Sequence, residues 1–417
     1  MSASISNYTR STTPTNGKPM QVETPDYPFL IETKGRGIRL GAKRGQSYDP
    51  NLTLEAIRDK VARWTAAQDK VDHSYPLNMF HYDYSNGTAK MQVKSAKTSG
   101  NRLVGDPIFF TRHGFGQVMR SILPNRGGYN MEQTVRTFRE NDTGAKLASL
   151  YTNLWATNQD KQVTLRTMKT RMPNGDVVRV ARSLGSARYA VYDNIDFLND
   201  LLDHSHMADY PVLDFSLQDS AMRIRFGAEI DRQKLIDEGL EGKGVPMFEV
   251  WNSETGQREA GIMAGVYKLV CLNGMLGHRA TSKFGWRHYG DSERIRVGVQ
   301  NALNTCEAEA NGILRQYNRA LDTTISDAFA FMEAELTRAE ASGDFRQKVH
   351  EAMRDETSSD IGTLAGVVDG ITLAAQKSLT DNSMADLLEQ SQWERLASRV
   401  MDRGLNQAVD NRITLTV

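Results

Sequence analysis

The stretch KQVTLRTMKTRMPNGDVVRVARSLGSARYAVY, residues 161–192, has the clearest fold pattern in the chain. Its side chains alternate around Pro173-Asn174-Gly175-Asp176, a turn sequence in which glycine can adopt a positive φ. The pattern predicts a β-hairpin. Because alternate residues of a strand share a face, Lys169 and Arg171 are expected to lie together on one face of this hairpin.

The segment directly after the hairpin predicts a helix. In DNIDFLNDLL, Asp193 or Asn194 can cap the first turn. Apolar residues then recur at helical spacing, so that Ile195, Leu198 and Leu202 are expected to be buried.

Upstream of the hairpin, helix and strand patterns alternate. LTLEAIRDKVARW predicts a helix capped by Asn51 or Thr53. The turn sequence Ser85-Asn86-Gly87 predicts a second hairpin. Residues 109–123 then predict a helix that ends at Pro124.

Downstream, strands give way to helices. SAMRIRFG predicts a strand with Arg223 and Arg225 on its polar face. A further hairpin is expected to turn through Asn252–Gln257, and from Asp291 the pattern is helical almost to Val409. The order indicates an α+β fold: a mixed, mainly antiparallel sheet built from hairpins and packed with helices, followed by a long helical C-terminal region.

We divide the chain into three regions. Residues 1–50, which include the basic, glycine-rich KGRGIRLGAKRG, predict a disordered arm. Residues 51–290 form the expected α+β core, and residues 291–417 the helical, acidic region. The whole chain has no net charge, yet the part from Leu321 onward has 17 Asp and Glu against 9 Lys and Arg. A basic body with an acidic tail is typical of proteins that bind a polyanion, although large chains also distribute charge unevenly by chance.

The bulk composition narrows the protein class. A hydrophobic content of 39% and a charged content of 24% are typical of a soluble globular protein. No apolar run approaches the ~18–20 residues that a membrane span needs, and the N-terminus lacks the apolar stretch of a secretory signal. The two cysteines, Cys271 and Cys306, exclude a disulfide framework and favour a reducing cytoplasm.

The hairpin supplies the first group of candidate binding residues. Between residues 161 and 188 there are seven Lys and Arg and a single acid, Asp176. A basic sheet face is suited to a sugar-phosphate backbone, although it can also be a solvated face with no ligand. The predicted phosphate contacts are Arg166, Lys169, Arg171, Arg179, Arg182 and Arg188.

A second group lies in CLNGMLGHRATSKFGWRHYGDSERIRV, which begins at Cys271. Cys271 itself is interpreted as the buried end of a strand. Cations interleaved with aromatic rings are typical of surfaces that bind single-stranded nucleic acid, since bases stack on the rings. The predicted phosphate contacts are Arg279, Lys283, Arg287 and His288, and the predicted stacking residues are Trp286 and Tyr289. The alternative is that Trp286 packs inward and anchors the loop.

Metal binding and nucleophilic catalysis receive little support. DHSHMAD contains Asp203, His204, His206 and Asp209, but the spacing matches no known metal motif and the segment lies at a predicted helix end. No G-x-S-x-G element is present. We therefore predict no catalytic residue, no metal and no cofactor.

Three segments resemble a known family. They are RVARSLGSARYAVYDNIDFLNDLL, VCLNGML followed by RHYGDSERI, and FFTRHGFGQVMRSILPN. Together they resemble the phage- and plasmid-like family catalogued as domain of unknown function 932, over about residues 100–320. The resemblance assigns no chemistry, but it implies a role around the DNA of mobile elements. The N-terminal arm and the acidic tail lie outside it.

These patterns predict a non-enzymatic, phage- or mobile-element-type protein that binds nucleic acid. The expected ligand is single-stranded DNA, in recombination, replication or genome handling in the host cytoplasm. The helices after Asp291 are expected to form a homo-oligomer. Two other classes stay open: a structural or host-interaction phage protein that acts through its helical tail, and a metal-dependent hydrolase or nuclease that uses His204 and His206.

Overall fold

A computed structural model of the chain describes residues 38–41, 52–85, 88–94, 106–122, 142–172, 174–204, 207–219, 221–227, 244–268, 273–276, 283–354, 360–378, 384–410 and 414–415. Helices and two main sheets are both present, with a helical region toward the C-terminus. The predicted α+β class is confirmed.

The strands are β1 (Ile38–Gly41), β2 (Val71–Pro76), β3 (Phe80–Asp83), β4 (Lys90–Val93), β5 (Ile108–Phe110), β6 (Gln162–Arg171), β7 (Val177–Ser186), β8 (Val212–Leu217), β9 (Met222–Gly227), β10 (Gly244–Asn252), β11 (Ala260–Lys268), β12 (Asn273–Leu276), β13 (Lys283–Trp286), β14 (Thr324–Ile325) and β15 (Thr414–Leu415). The helices are α1 (Leu54–Ala66), α2 (Arg112–Ile122), α3 (Asp142–Thr157), α4 (Asn194–Leu202), α5 (Ser292–Leu321), α6 (Ala328–Arg338), α7 (Gly343–Met353), α8 (Leu364–Lys377) and α9 (Met384–Asp410).

Sheet I has the strand order β2-β6-β7-β5-β4-β3. The predicted β6–β7 hairpin is confirmed, and Gly175 in its turn has a φ of 92°. The predicted hairpin at residues 85–87 is confirmed by the antiparallel pairing of β3 with β4. Strand β5 pairs in parallel with β7, which makes this sheet mixed.

The helix predicted over residues 109–123 is correct only in its second part. Phe109 and Phe110 belong to β5, and α2 begins at Arg112. Phe110 of β5 and Phe115 of α2 both lie in one core of sheet I, so the apolar residues that suggested one helix come from two elements.

Sheet II has the order β1-β8-β9-β10-β11-β12, and β13 also pairs with β11. The predicted β10–β11 hairpin is confirmed. The prediction of a disordered arm over residues 1–50 is wrong for Ile38–Gly41, because this segment pairs with β8 as an edge strand. The remainder of the arm lies outside the described residues.

One face of sheet II is covered by α1, α4 and the first half of α5. Helix α1 is capped by Thr53, whose hydroxyl accepts from the Ala56 N–H at 3.2 Å. Helix α4 is capped by Asp193. Its buried face comprises Phe197, Leu198 and Leu201, so the predicted burial is correct for Leu198, whereas Ile195 and Leu202 are only partly buried.

Helix α5 begins at the predicted point and connects two cores. Ile295 and Val299 in its first half pack beneath sheet II. Ile313 and Tyr317 in its second half pack with helices α6 to α9 in a separate cluster of buried residues. In the described part of the chain, no helix combines the length and the apolar character that crossing a membrane requires.

Candidate nucleic-acid interface and the buried charge clusters

Arg166 of β6 is buried between the two sheets. Its side chain is 1% exposed, and its guanidinium donates to the Asp72 carboxylate at 2.7 Å and also to Asp193. A third bond goes to the backbone carbonyl of Glu254, in the connection between β10 and β11. Tyr189 donates to the same carbonyl at 2.8 Å.

Arg182 of β7 is buried to the same degree and contacts two connections of sheet II. Its Nε donates to Asp219, between β8 and β9, at 2.5 Å. Its Nη2 donates to Oε2 of Glu254 at 2.9 Å. Lys70, which precedes β2, donates to that carboxylate oxygen at 2.5 Å. The Asn194 N–H donates to the other oxygen at 3.0 Å.

We call this set of charges the Glu254 cluster, and it is nearly balanced. Its members are Lys70, Arg166, Arg182, Asp72, Asp193, Asp219 and Glu254. Burial tends to raise the pKa of Glu254, but Arg182 and Lys70 outweigh that effect and hold the pKa well below its usual value. Burial lowers the pKa of Lys70, and Glu254 acts in the opposite direction. The cluster therefore stabilises Glu254 as an anion inside the protein.

The predicted roles of Arg166 and Arg182 as phosphate contacts are wrong. Both are 1% exposed, and their charges are compensated by carboxylates of this chain. A buried, paired guanidinium cannot reach a phosphate without breaking its ion pairs. Arg166 and Arg182 instead extend toward the connections of sheet II, where Glu254 and Asp219 lie.

The turn end of the β6–β7 hairpin has a smaller group of cations. Asp69 accepts from Arg179 at 2.7 Å and from Lys169 at 2.8 Å. The Arg179 side chain is only 10% exposed and is paired with Asp69, so little of it is available for the predicted phosphate contact. Lys169 and Arg171 are exposed.

His288 and Trp286 are packing residues. The His288 ring is buried and stacks on Tyr189, with ring centres 5.5 Å apart. Burial lowers its pKa to about 4, and a ring that is only 8% exposed has little surface for the predicted phosphate contact. Trp286 is partly buried, and its indole lies directly over Gly298 of α5 against the sheet II core. This packing favours the alternative, in which Trp286 anchors the loop, over stacking on a base.

The two predicted basic segments do meet at one place, which we call the Arg188–Tyr289 surface. It comprises Arg188, Arg287 and Tyr289, all exposed. The Gly290 N–H donates to the Arg188 carbonyl at 2.8 Å, so the loop after β7 is bonded to the loop before α5. Arg188 Nη1 donates to the Tyr289 hydroxyl at 2.7 Å, and its guanidinium carbon lies 6.0 Å from the ring centre.

The remaining predicted residues lie apart from this surface or outside the described residues. Lys283 on β13 is exposed and bonded to Glu259 at 2.7 Å. Arg171 lies beside Val177 at the start of β7 and Arg188 follows the end of β7, which places the two arginines roughly 30 Å apart at the usual rise of a strand. Arg279 and Cys271 are not among the described residues.

A second buried charge cluster, which the sequence did not reveal, lies between β9, β10 and α9. Arg225 bonds to Glu249 at 2.8 Å and to Glu394 at 2.6 Å. Arg223 bonds to Asp214 at 2.5 Å. Burial raises the pKa of Glu394 to about 7, although Arg225 acts in the opposite direction. The alternation predicted for β9 is correct, but its polar face is covered by a helix rather than by water.

Among the described residues no group of His, Cys, Asp and Glu could hold a metal ion. His204 contacts Asn304 through its Nε2 at 3.0 Å. His206 lies outside the described residues. No family model, curated protein or solved structure matches this chain.

Proposed function

We propose that this chain binds single-stranded nucleic acid, with single-stranded DNA as the expected ligand, through the Arg188–Tyr289 surface. The observation that supports this is an exposed phenol ring bonded to an exposed arginine, at the point where the two predicted basic segments meet. Aromatic rings beside cations bind single strands because every base has a π-face that can stack and every linkage has a phosphate.

The bond between Arg188 and Tyr289 gives each residue a distinct role. It fixes the orientation of the ring, so that a base can stack on it with little further loss of side-chain entropy. A guanidinium has five N–H donors, so Arg188 can keep its bond to the hydroxyl and still donate to a phosphate. Arg287 supplies a second cation two residues before the ring.

The biological setting of the proposal comes from the family resemblance. A phage- or plasmid-type protein that binds single strands would act in recombination, replication or genome handling of a mobile element. The alternative, a structural or host-interaction protein, predicts no affinity for oligonucleotides, so one binding experiment separates the two classes.

The experiment is fluorescence anisotropy with labelled single-stranded and duplex oligonucleotides of about 16 nucleotides, the upper site size of a single-strand-binding module. We expect tighter binding of the single strand and a linear fall of log K with log salt. Arg188→Ala should reduce the salt slope by about 0.7, the value for one phosphate contact on a single strand. Tyr289→Ala should weaken the binding free energy by about 1–3 kcal/mol, whereas Tyr289→Phe keeps the ring and should keep most of the affinity.

Arg338→Ala is the matched control, since it removes an exposed arginine from helix α6. It should leave the affinity unchanged. Absence of binding at low salt, or equal affinities for wild type, Arg188→Ala and Tyr289→Ala, would contradict the proposal. Cleavage of the oligonucleotide that a chelator abolishes would favour the metal-dependent nuclease instead.

A further inference from the structure

Helix α3 exposes an apolar face. Of the ten large apolar side chains that are exposed in the described part of the chain, five lie on this helix. The most exposed are Leu150 at 65% and Leu154 at 59%. The five are Leu147, Leu150, Tyr151, Leu154 and Trp155.

The opposite face of α3 fixes the helix against sheet I. Its residues there are small, with Ala145 and Ala148 buried in the core. The Ser149 hydroxyl accepts from the Tyr84 N–H at 2.9 Å, and Asn153 exchanges two bonds with the backbone of Tyr82, at 2.8 Å and 2.7 Å. These bonds satisfy backbone groups at the outer edge of β3, the last strand of sheet I. The apolar face is therefore held rigidly, away from the body of its own chain.

We propose that this face pairs with the same face of a second copy of the chain, as two antiparallel α3 helices related by a two-fold axis. The spacing of four of the side chains supports a self-pairing. Residues 147, 150, 151 and 154 follow one another at intervals of three, one and three, which read the same in both directions. A two-fold axis between residues 150 and 151 therefore superposes apolar positions on apolar positions.

The contacts of this pair follow from helix geometry. Residues three and four apart share a face, so Leu147 and Leu154 form the centre of the stripe, with Leu150 on one flank and Tyr151 on the other. In the antiparallel pair, Leu147 meets Leu154 of the second copy. Leu150 and Tyr151 each meet their own counterpart on either side of the axis.

The distribution of charge favours an antiparallel orientation. The charged residues of α3 are Asp142 and Lys146, which bond to each other at 2.6 Å in its first turns. A parallel pair would bring each of them beside its own copy, and like charges at that distance repel. An antiparallel pair places them beside the uncharged last turn of the partner helix.

The area involved is suited to a dimer. With about half of each side chain exposed, the five residues present roughly 500 Å² of apolar surface, near the upper limit for the largest patch of a monomeric protein. A standard interface buries about 800 Å² per partner, so this stripe would form most of its centre and the polar flanks of α3 its rim.

The inference is independent of nucleic-acid binding, and it assigns self-association to a different element from the C-terminal helices. Phe345, Val349 and Leu396 exemplify the apolar residues of those helices that lie inside their own cluster of buried residues. Helix α3 instead has its apolar residues on the outside.

The test is the mass of the full chain in solution, measured by light scattering during size-exclusion chromatography and by sedimentation velocity. Wild type should have twice the monomer mass at micromolar concentration. Leu150→Lys places two lysines face to face across the axis and should raise the dimer dissociation constant by roughly 30-fold or more, as for an interface hot spot. Val177→Lys, at an exposed apolar residue of the β6–β7 hairpin, should remain dimeric.

A charge exchange tests the antiparallel register. Leu147→Glu and Leu154→Lys should each weaken the dimer as single variants. The double variant should regain dimer affinity, because each Glu at position 147 then faces a Lys at position 154 of the second copy. The substituted residues of this and the previous test are all exposed, so the far-UV circular dichroism of every variant should be unchanged. They are Leu147, Leu150, Leu154 and Val177. A monomeric wild type at tens of micromolar, a dimer that Leu150→Lys does not weaken, or a double variant weaker than both single variants would overturn the proposal.

Discussion

The Lys70–Glu254 ion pair should be strongly coupled, and a double-mutant cycle can measure this. Both side chains are almost fully buried, at 8% and 1% exposure, and their charged atoms are 2.5 Å apart. Removing one partner of a buried pair leaves the other charge uncompensated and typically costs about 3–5 kcal/mol. We expect Lys70→Met and Glu254→Gln each to lower the free energy of unfolding by about 3 kcal/mol, the lower end of this range, because Arg182 still contacts Glu254 at 2.9 Å in the first variant and still has Asp219 in the second.

The double variant should be much less unstable than the sum of the two single variants. With both charges removed, Arg182 still has Asp219 as a partner at 2.5 Å, so no charge is left alone. We therefore expect the double variant to cost about as much as one single variant. The resulting coupling energy of about 3 kcal/mol lies at the upper end of the range for residues in contact.

The assay is urea denaturation of the wild type, both single variants and the double variant at pH 7. The matched control is the same cycle on Lys348 and Asp344, a pair one helical turn apart with side chains 34% and 77% exposed and charged atoms at 2.8 Å. That pair should show a coupling of about 0.3–0.5 kcal/mol. A Lys70–Glu254 coupling no larger than the control value would refute the reasoning, since burial would then add nothing to the interaction.

Three further predictions concern other parts of the fold. A Cβ at Gly114 would overlap a backbone carbonyl of β7, so Gly114→Ala should lower the free energy of unfolding by about 1–3 kcal/mol in urea denaturation. Gly312→Ala, also in a helix but with space around it, should raise the free energy of unfolding by about 0.5–1 kcal/mol. Because the pKa of Glu394 is raised to about 7 in the folded state, its contribution to stability is present below about pH 4.5 and is lost as the pH rises through 7. The free energy of unfolding should therefore fall by up to roughly 3 kcal/mol over this range. Glu394→Gln should lack this pH dependence when the urea midpoints at pH 5 and pH 8 are compared. Asn153→Ala removes both hydrogen bonds to the outer edge of β3 and should lower the free energy of unfolding by about 1–3 kcal/mol. Hydrogen exchange at the Tyr82 amide should become faster. An unchanged exchange rate would show that this residue does not hold the edge.

The elements that the sequence predicts well are those determined by neighbouring residues. The turn at Gly175 and the caps at Thr53 and Asp193 each depend on side chains within a few positions of the backbone that they satisfy. Such local chemistry can be recognised without knowing what packs around it. The β5 strand was missed because its partner, β7, lies about 70 residues away and pairs with it in parallel.

The candidate site was predicted less well because strand alternation does not distinguish a face covered by water from a face covered by protein. Arg166, Arg182 and Arg225 all lie on strands that are rich in basic residues. Their carboxylate partners lie 24 to 169 positions away in the sequence, as shown by Glu249 and Glu394 with Arg225. Arg188, in a loop, keeps both its predicted exposure and an aromatic neighbour.

The polar turn that joins β10 to β11 has a consequence for how the chain folds. Residues 252–255 of this turn are at most 1% exposed, and Lys70, which bonds to Glu254, is 184 positions away in the chain. Before the two sheets dock, the Glu254 carboxylate is hydrated. After docking, it accepts from Arg182 of sheet I and from Lys70, which precedes β2. A half-docked arrangement would lose the water without gaining the partners, so it is high in free energy. Docking should therefore be all-or-none, and amides in the centres of both sheets should exchange through one common opening event.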